Sequence, residues 1–288
     1  MTKILNTSKQ EIAYTKFKFP SGEVGIKLAI NRGWFIGSYK IILLARINSS
    51  DDFFELAMIK NALETEYNTN YGDMIAPDIH CVLAKVPYAQ QDRVCVRGES
   101  LSIEVFANLL NSLNFKTVTI IDPHSDVAPA LIKNRSVITQ FDLINKDREF
   151  INRVTLGNNV FLAPDAGSNK KTAEIAKYFN RDGFIRADKL RNLQTGEIIE
   201  TIVYCDDFKG QDVIVCDDIC LGGKTYIELA KVLKTRNCGK IVLRVSHGVF
   251  NKGLDELFNN GIDEIFATNS YQEITDPRVK VLKIENII

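Results

Sequence analysis

Val213–Thr225 reads VIVCDDICLGGKT: an apolar run, two adjacent acids, a Gly-Gly turn and the start of an amphipathic segment. A short, nearly all-apolar run followed by a helical pattern is the signature of a parallel strand covered on both faces. The same rhythm recurs along the chain. Strand-like runs occupy Tyr39–Ile47, His80–Val86, Thr117–Asp122, Val160–Asp165, Lys240–Val245, Glu264–Thr268 and Val279–Ile284. Helical spacing occupies Asp51–Tyr67, with Asp51 or Asp52 available as N-cap, and also Ser102–Leu113, Asn169–Phe179, Thr225–Leu233 and Leu254–Asn259. Alternating β and α elements predict an α/β fold with mostly parallel, doubly wound sheets flanked by helices.

The 288 residues suffice for two domains, and 45% apolar content lets each bury a core without disulfides or structural metal. A polar stretch, Lys133–Asn152, holds the expected boundary. This gives domains 1–140 and 141–278, with the C-terminal strand 279–288 a candidate to complete the first. Thirty-six basic residues balance 36 acidic ones, so no general attraction to nucleic acid or an anionic membrane is expected. The six cysteines form no CxxC pair, and the start, MTKILNTSKQ, has no apolar core of a signal peptide. Reduced thiols and a cytoplasmic location are the expectation.

In open α/β sheets, ligands bind beyond the carboxyl ends of strands. Four such places carry suitable side chains. Asp217 and Asp218 can accept hydrogen bonds from vicinal sugar hydroxyls, and the turn Cys220, Leu221, Gly222, Gly223, Lys224, Thr225 can offer backbone N–H groups to an anion. The alternative is that Asp218 caps a turn and the glycines merely tighten it. A P-loop is excluded, because position 218 is Asp where that motif requires Gly. His124, in Asp122-Pro123-His124-Ser125-Asp126, can serve magnesium-bound phosphates, or can be a structural hydrogen-bonder. Asp165, in Pro164-Asp165-Ala166-Gly167, can hold Mg²⁺ through water, or can be an ordinary N-cap. Lys189 and Arg191, two residues apart on an extended segment, share a face and can clamp a phosphoryl group, or can form a solvated charge cluster.

Taken together, these segments resemble the ribose-phosphate pyrophosphokinase (PRPP synthetase) family, in the family's own order. Phe19-Pro20-Ser21-Gly22-Glu23 resembles FSDGE. Pro87-Tyr88-Ala89-Gln90-Gln91-Asp92-Arg93 resembles PYARQDR. Gly98–Ser102 and Ala107–Leu110 resemble GEPIS and ANLL. Asp122–His124, Pro164–Gly167, Asp188–Arg191 and Ser246–Phe250 resemble DLH, PDAG, DKRR and THGVF.

The resemblance implies two tandem phosphoribosyltransferase-like domains, the first on the ATP side and the second on the ribose and phosphate side. It implies attack of a sugar C1 hydroxyl on the β-phosphorus of Mg-ATP, with AMP leaving. The implied roles are His124 and Asp165 for the Mg-ATP phosphates and Lys189 and Arg191 for transition-state charge. Gln90, Gln91, Asp92 and Arg93 would bind ATP, and the turn near Phe19 and Glu23 would help form the adenine site across a subunit interface. Asp217, Asp218 and the loop from Cys220 to Thr225 would hold the ribose and its phosphate. A homo-oligomer, a dimer or dimer-based hexamer, is also implied.

The chain departs from the family at the phosphoribose loop, usually DDxxDTGGT, where a hydroxyl-rich cradle is replaced by one with Lys224. Gln90 replaces an arginine, and Val94–Arg97 is short. The altered loop predicts a larger acceptor such as ADP-ribose, in NAD synthesis, in place of ribose 5-phosphate. A non-catalytic regulatory homologue is the competing expectation. A simple phosphoribosyltransferase, which shares the acid-pair loop, ranks lower because it lacks the tandem first domain.

Overall fold

In the computed structural model, residues 2–29, 40–70, 76–191 and 198–288 are described, with side chains omitted at 70, 190, 191, 198 and 199. Two compact units result, Met1–Ile138 and Thr139–Ile288.

The first unit contains β1 (Thr2–Leu5), β2 (Glu11–Ile12), β3 (Tyr14–Lys18), β4 (Val24–Leu28), β5 (Lys40–Ala45), α1 (Ser50–Asn70), β6 (Asp78–Leu83), α2 (Ser102–Ser112), β7 (Val118–Ile121), α3 (Val127–Leu131) and β8 (Arg135–Ile138). Its sheet has the order β2-β1-β5-β6-β7-β8, while β3 and β4 form a separate hairpin. Strands β5 to β8 run parallel, and β1 adds antiparallel to β5. Leu43, Leu83 and Ile120 from this sheet share one core with Leu56, Ile59 and Leu63 of α1 and Ile103, Phe106 and Leu110 of α2. The start of α1 differs from the expected cap. Ser49 and Asp52 bond reciprocally there, so Asp52 is the partner inside the first turn and Ser49 the cap.

The second unit contains α4 (Gln140–Lys146), α5 (Arg148–Thr155), β9 (Asn159–Ala163), α6 (Asn169–Tyr178), β10 (Ile185–Arg191), β11 (Ile198–Val203), β12 (Asp212–Cys220), α7 (Lys224–Lys234), β13 (Ile241–Gly248), α8 (Asp255–Phe258), β14 (Glu264–Thr268) and β15 (Val279–Leu282). The sheet order is β11-β10-β9-β12-β13-β14-β15. All neighbours are parallel except the β10–β11 hairpin. Alternation along β12 divides two cores. Val213 and Val215 pack with Leu229 and Leu233 of α7, whereas Ile214 and Cys216 pack with Phe150 of α5 and Ile175 of α6. Both faces are therefore covered, which explains why VIVC is uninterruptedly apolar.

Two expectations are corrected here. The C-terminal strand does not complete the first domain: Ile265–Thr268 pair in register with Val279–Leu282, so β15 extends the second sheet. The acid pair does not end its strand either. β12 continues to Cys220, because Ile219 and Cys220 pair with His247 and Gly248 of the long β13. No helix among the described residues is long and apolar enough to cross a membrane.

Candidate functional site

The first unit gathers one group of the expected residues. After β7, Asp122 takes a positive φ of 34° while buried, and its N–H bonds to the Ile138 carbonyl at 2.7 Å. Non-glycine residues rarely adopt that conformation. The bend turns the chain into Pro123, His124 and Ser125. Asp92 lies next to this turn. The Ser125 hydroxyl bonds it, and with the Arg93 guanidinium and nearby His124 holds its carboxyl below the usual range against a desolvation penalty. The Arg93 Nε to Asp92 Oδ1 distance is 3.2 Å. Gln91 Oε1 accepts from Ser102 Oγ, at the start of α2, at 2.6 Å. Gln91, Asp92, Arg93 and His124 are thus brought together, and Gln90 lies exposed in the adjoining turn. Phe19 and Glu23 belong elsewhere, at the tip of the β3–β4 hairpin, where Phe19 N–H bonds the Glu23 carbonyl at 2.9 Å.

The second unit gathers the acids around a cation. Asp165 follows β9 and caps a short 3-10 turn, accepting from Ser168 N–H through Oδ1 at 3.1 Å. Its Oδ2 receives Lys189 Nζ, from the neighbouring strand β10, at 2.9 Å. The Lys189 side chain is only 6% exposed, against 42% for Asp165. Burial alone would raise the Asp165 carboxyl, but the Lys189 charge and the Ser168 bonds outweigh it and hold the group below its ordinary value. The strand register shifts between Leu190 and Arg191, so the two-residue alternation expected to align Lys189 with Arg191 is interrupted. The side chain of Arg191 lies outside the described residues.

Asp217 Oδ1 accepts the Asp218 N–H at 2.9 Å, and Oδ2 accepts the Tyr226 hydroxyl at 2.9 Å. Burial first, then the adjoining Asp218 carboxyl and the Asp165 charge, push Asp217 up to about 7, while the Tyr226 bond opposes them. One proton shared by two neighbouring carboxyls is the expected behaviour of such a pair. Below it, the turn from Cys220 is braced by a second segment: Val249 and Asn251 N–H groups bond the Cys220 and Leu221 carbonyls at 2.9 and 3.1 Å. Gly223 caps α7 at φ 78°, and a Cβ there would meet Leu257 Cδ2 at 2.5 Å. Lys224 is exposed on the first turn and Thr225 follows it. A Cβ on Gly222 would lie 3.1 Å from Asn251 Oδ1 and 3.4 Å from Lys252 Cγ, so a second lysine flanks the loop.

Tyr226, Ser125, Ser102, Ser168 and Lys252 were not anticipated. Only Tyr226 left a signal in the sequence: a tyrosine in the first turn of the helix that follows the acid pair. As to metal, Asp165 offers an ionised, half-exposed oxygen donor. No group of three or more His, Cys, Asp or Glu side chains suited to a metal occurs among the described residues. These donors fit an ion that keeps several waters and arrives on nucleotide phosphates, as Mg²⁺ does.

Comparison with known proteins gives a consistent picture. No family model matches the chain. It is 27% identical over 250 residues to ribose-phosphate pyrophosphokinase 2 of Archaeoglobus fulgidus, covering 83% of this chain and 80% of that protein. It is 26% identical over 273 residues to the ribose-phosphate pyrophosphokinase of Pyrococcus furiosus, covering 94% and 89%. Among solved structures, the phosphoribosylpyrophosphate synthetase of Mycobacterium smegmatis superposes with a TM-score of 0.78 at 19% identity, covering 97% of this chain and 89% of that one. The chain is thus similar to ribose-phosphate pyrophosphokinases over most of its length and shares the two-unit α/β fold of a phosphoribosylpyrophosphate synthetase.

Proposed function

We propose that this protein transfers the β,γ-diphosphate of Mg-ATP to the C1 hydroxyl of a 5-phosphorylated ribose and releases AMP. The observation that carries this reading is the convergence of Lys189, Asp165 and the Asp217–Asp218 pair on adjacent strands of one sheet. The acid pair accepts hydrogen bonds from the 2- and 3-hydroxyls and fixes the sugar. Lys189 is a desolvated cation placed to offset charge on the transferring group. To do so it must exchange the Asp165 carboxylate for phosphate oxygens. Bound Mg²⁺ would neutralise the triphosphate and orient it, with Asp165 as the ionised oxygen donor of this unit. Such a reaction depends mainly on positioning and charge stabilisation. The Asp92, Arg93 and Gln91 group supplies contacts for ATP. The presence of Lys189, His124 and the acid pair argues against a non-catalytic regulator.

The acceptor is read from the loop. Lys224 and Lys252 flank a turn whose family counterpart is rich in hydroxyls. Two cations suit a diphosphate better than a monophosphate, and ADP-ribose is the acceptor proposed, its product serving NAD synthesis. The protein would work as a homo-oligomer in the cytoplasm. Steady-state AMP release with ribose 5-phosphate and with ADP-ribose tests the acceptor. A higher kcat/KM for ADP-ribose, reduced in Lys224→Ala, is expected. Preference for ribose 5-phosphate would reject that part of the reading.

A further inference from the structure

Tyr226 is fully enclosed on the first turn of α7, yet its hydroxyl has two oxygen neighbours. Asp217 Oδ2 lies at 2.9 Å and the Ile219 carbonyl at 2.8 Å. Both belong to β12, two residues apart. A phenol has one proton to donate, so it serves one oxygen fully at a time. When Asp217 is ionised, the phenol proton points to Oδ2. When Asp217 is protonated, its own proton can be donated to the phenol oxygen, and the phenol proton turns to Ile219. In both states the phenol oxygen and Asp217 Oδ2 stay hydrogen-bonded to each other, and leaving either buried atom unmatched would cost about 1–3 kcal/mol.

We propose that Tyr226 is a positioning residue that holds Asp217 in one orientation through both of its protonation states, so that the acid pair receives a sugar diol without moving. The inference rests on the acceptor role given to the pair above. The groups around Asp217 define what Tyr226 works against. Asp218 and Cys220 come from the same strand and Asp165 from the end of β9. Lys189, on β10, is engaged by Asp165. Gln140 of α4 donates to the Asp217 backbone carbonyl, and β13 places the apolar Val245 opposite. Two carboxyls, those of Asp218 and Asp165, thus oppose ionisation of Asp217, while the Tyr226 hydroxyl donates to Oδ2 and favours it.

The test is Tyr226→Phe in the full chain, read in two ways. The first needs no activity: thermal unfolding across pH. A carboxyl raised in the folded state makes stability fall as pH rises toward its folded value. Removing the phenol donor raises that value further, so the fall should extend to higher pH in the variant. The second is kinetic: KM for the ribose acceptor should rise about tenfold, as for loss of one hydrogen bond to a charged group. The acidic limb of kcat/KM should move to higher pH, while KM for ATP stays unchanged. Superimposable pH profiles of stability would overturn the inference. Absence of AMP release from the wild-type protein with any ribose acceptor would instead overturn the proposed function, leaving the unfolding profiles to decide about Tyr226. If the phenylalanine variant does not fold, 3-fluorotyrosine placed at position 226 replaces it. A stronger donor of the same shape should shift the stability fall to lower pH, and an unshifted fall would contradict the proposal.

Discussion

Lys189 Nζ reaches across from β10 to Asp165 Oδ2 at 2.9 Å, and the lysine is the more deeply enclosed of the two. A cation so placed has given up its water and is matched by one carboxylate. It is poised to exchange that partner for the oxygens of a polyphosphate. Lys189→Met should therefore lower kcat by about 10²–10³-fold, the effect of losing one preorganised donor. Single-turnover measurement at saturating substrates checks it, and an unchanged rate would remove Lys189 from the chemistry.

The acid pair predicts a pH dependence of opposite sign to that of a salt-bridged carboxylate. Asp217 is raised in the folded state, so the folded protein binds more protons than the unfolded one between about 4, the ordinary carboxylate value, and about 7. Stability contributed by this group is complete below that window and is lost as pH rises through it. Asp165 is lowered, so its contribution runs the other way and is lost only in acid. Asp217→Asn should flatten the decline toward neutral pH, as read by denaturant melts at several pH values.

Gly223 tests the loop geometry. Its φ of 78° and the 2.5 Å approach of Leu257 leave no room for a side chain. Gly223→Ala should cost about 1–3 kcal/mol from strain at a left-handed position plus the clash, measured by chemical denaturation.

Arg153 offers a control away from the chemistry. From α5 it bonds Asp212, at the start of β12, at 2.6 Å and Glu264, at the start of β14, at 2.9 Å. Both acids are partly buried. Arg153→Ala removes the link between them, but Glu264 keeps Lys240 at 3.2 Å and Asp212 keeps the Lys240 N–H at 2.8 Å, so the loss should be about 1–3 kcal/mol. The kinetic constants of the folded fraction should remain near wild type, which assays well below the melting temperature would show.

Much of the architecture was legible because parallel strands buried on both faces cannot hide their composition. VIVCDD, KIVLRV and EIFAT stand out for that reason. Other elements escaped for equally physical reasons. Helices α4 and α5 lie in the stretch read as a polar boundary, since each buries only two apolar residues, Leu143 and Ile144 in one and Phe150 and Val154 in the other. Their ends are set instead by Thr139 and Asp147 caps. Strand β10 was read only as an extended segment at Asp188–Arg191, because its charged residues hide the apolar pattern in which Ala187 is fully buried. At the site, residue types pointed to Asp165, Lys189 and the acid pair. Their pairing could not be read, because Asp165 to Lys189 and Asp217 to Tyr226 are contacts between separate elements.

The central claim is transfer of a diphosphate unit from ATP to a ribose hydroxyl. Nucleotide products should be quantified after incubation with Mg-ATP, with and without a phosphorylated ribose acceptor. One AMP should appear for each acceptor consumed, with little in its absence and a large loss in Lys189→Met. Formation of ADP and phosphate instead, or no AMP with either ribose 5-phosphate or ADP-ribose, would contradict the account.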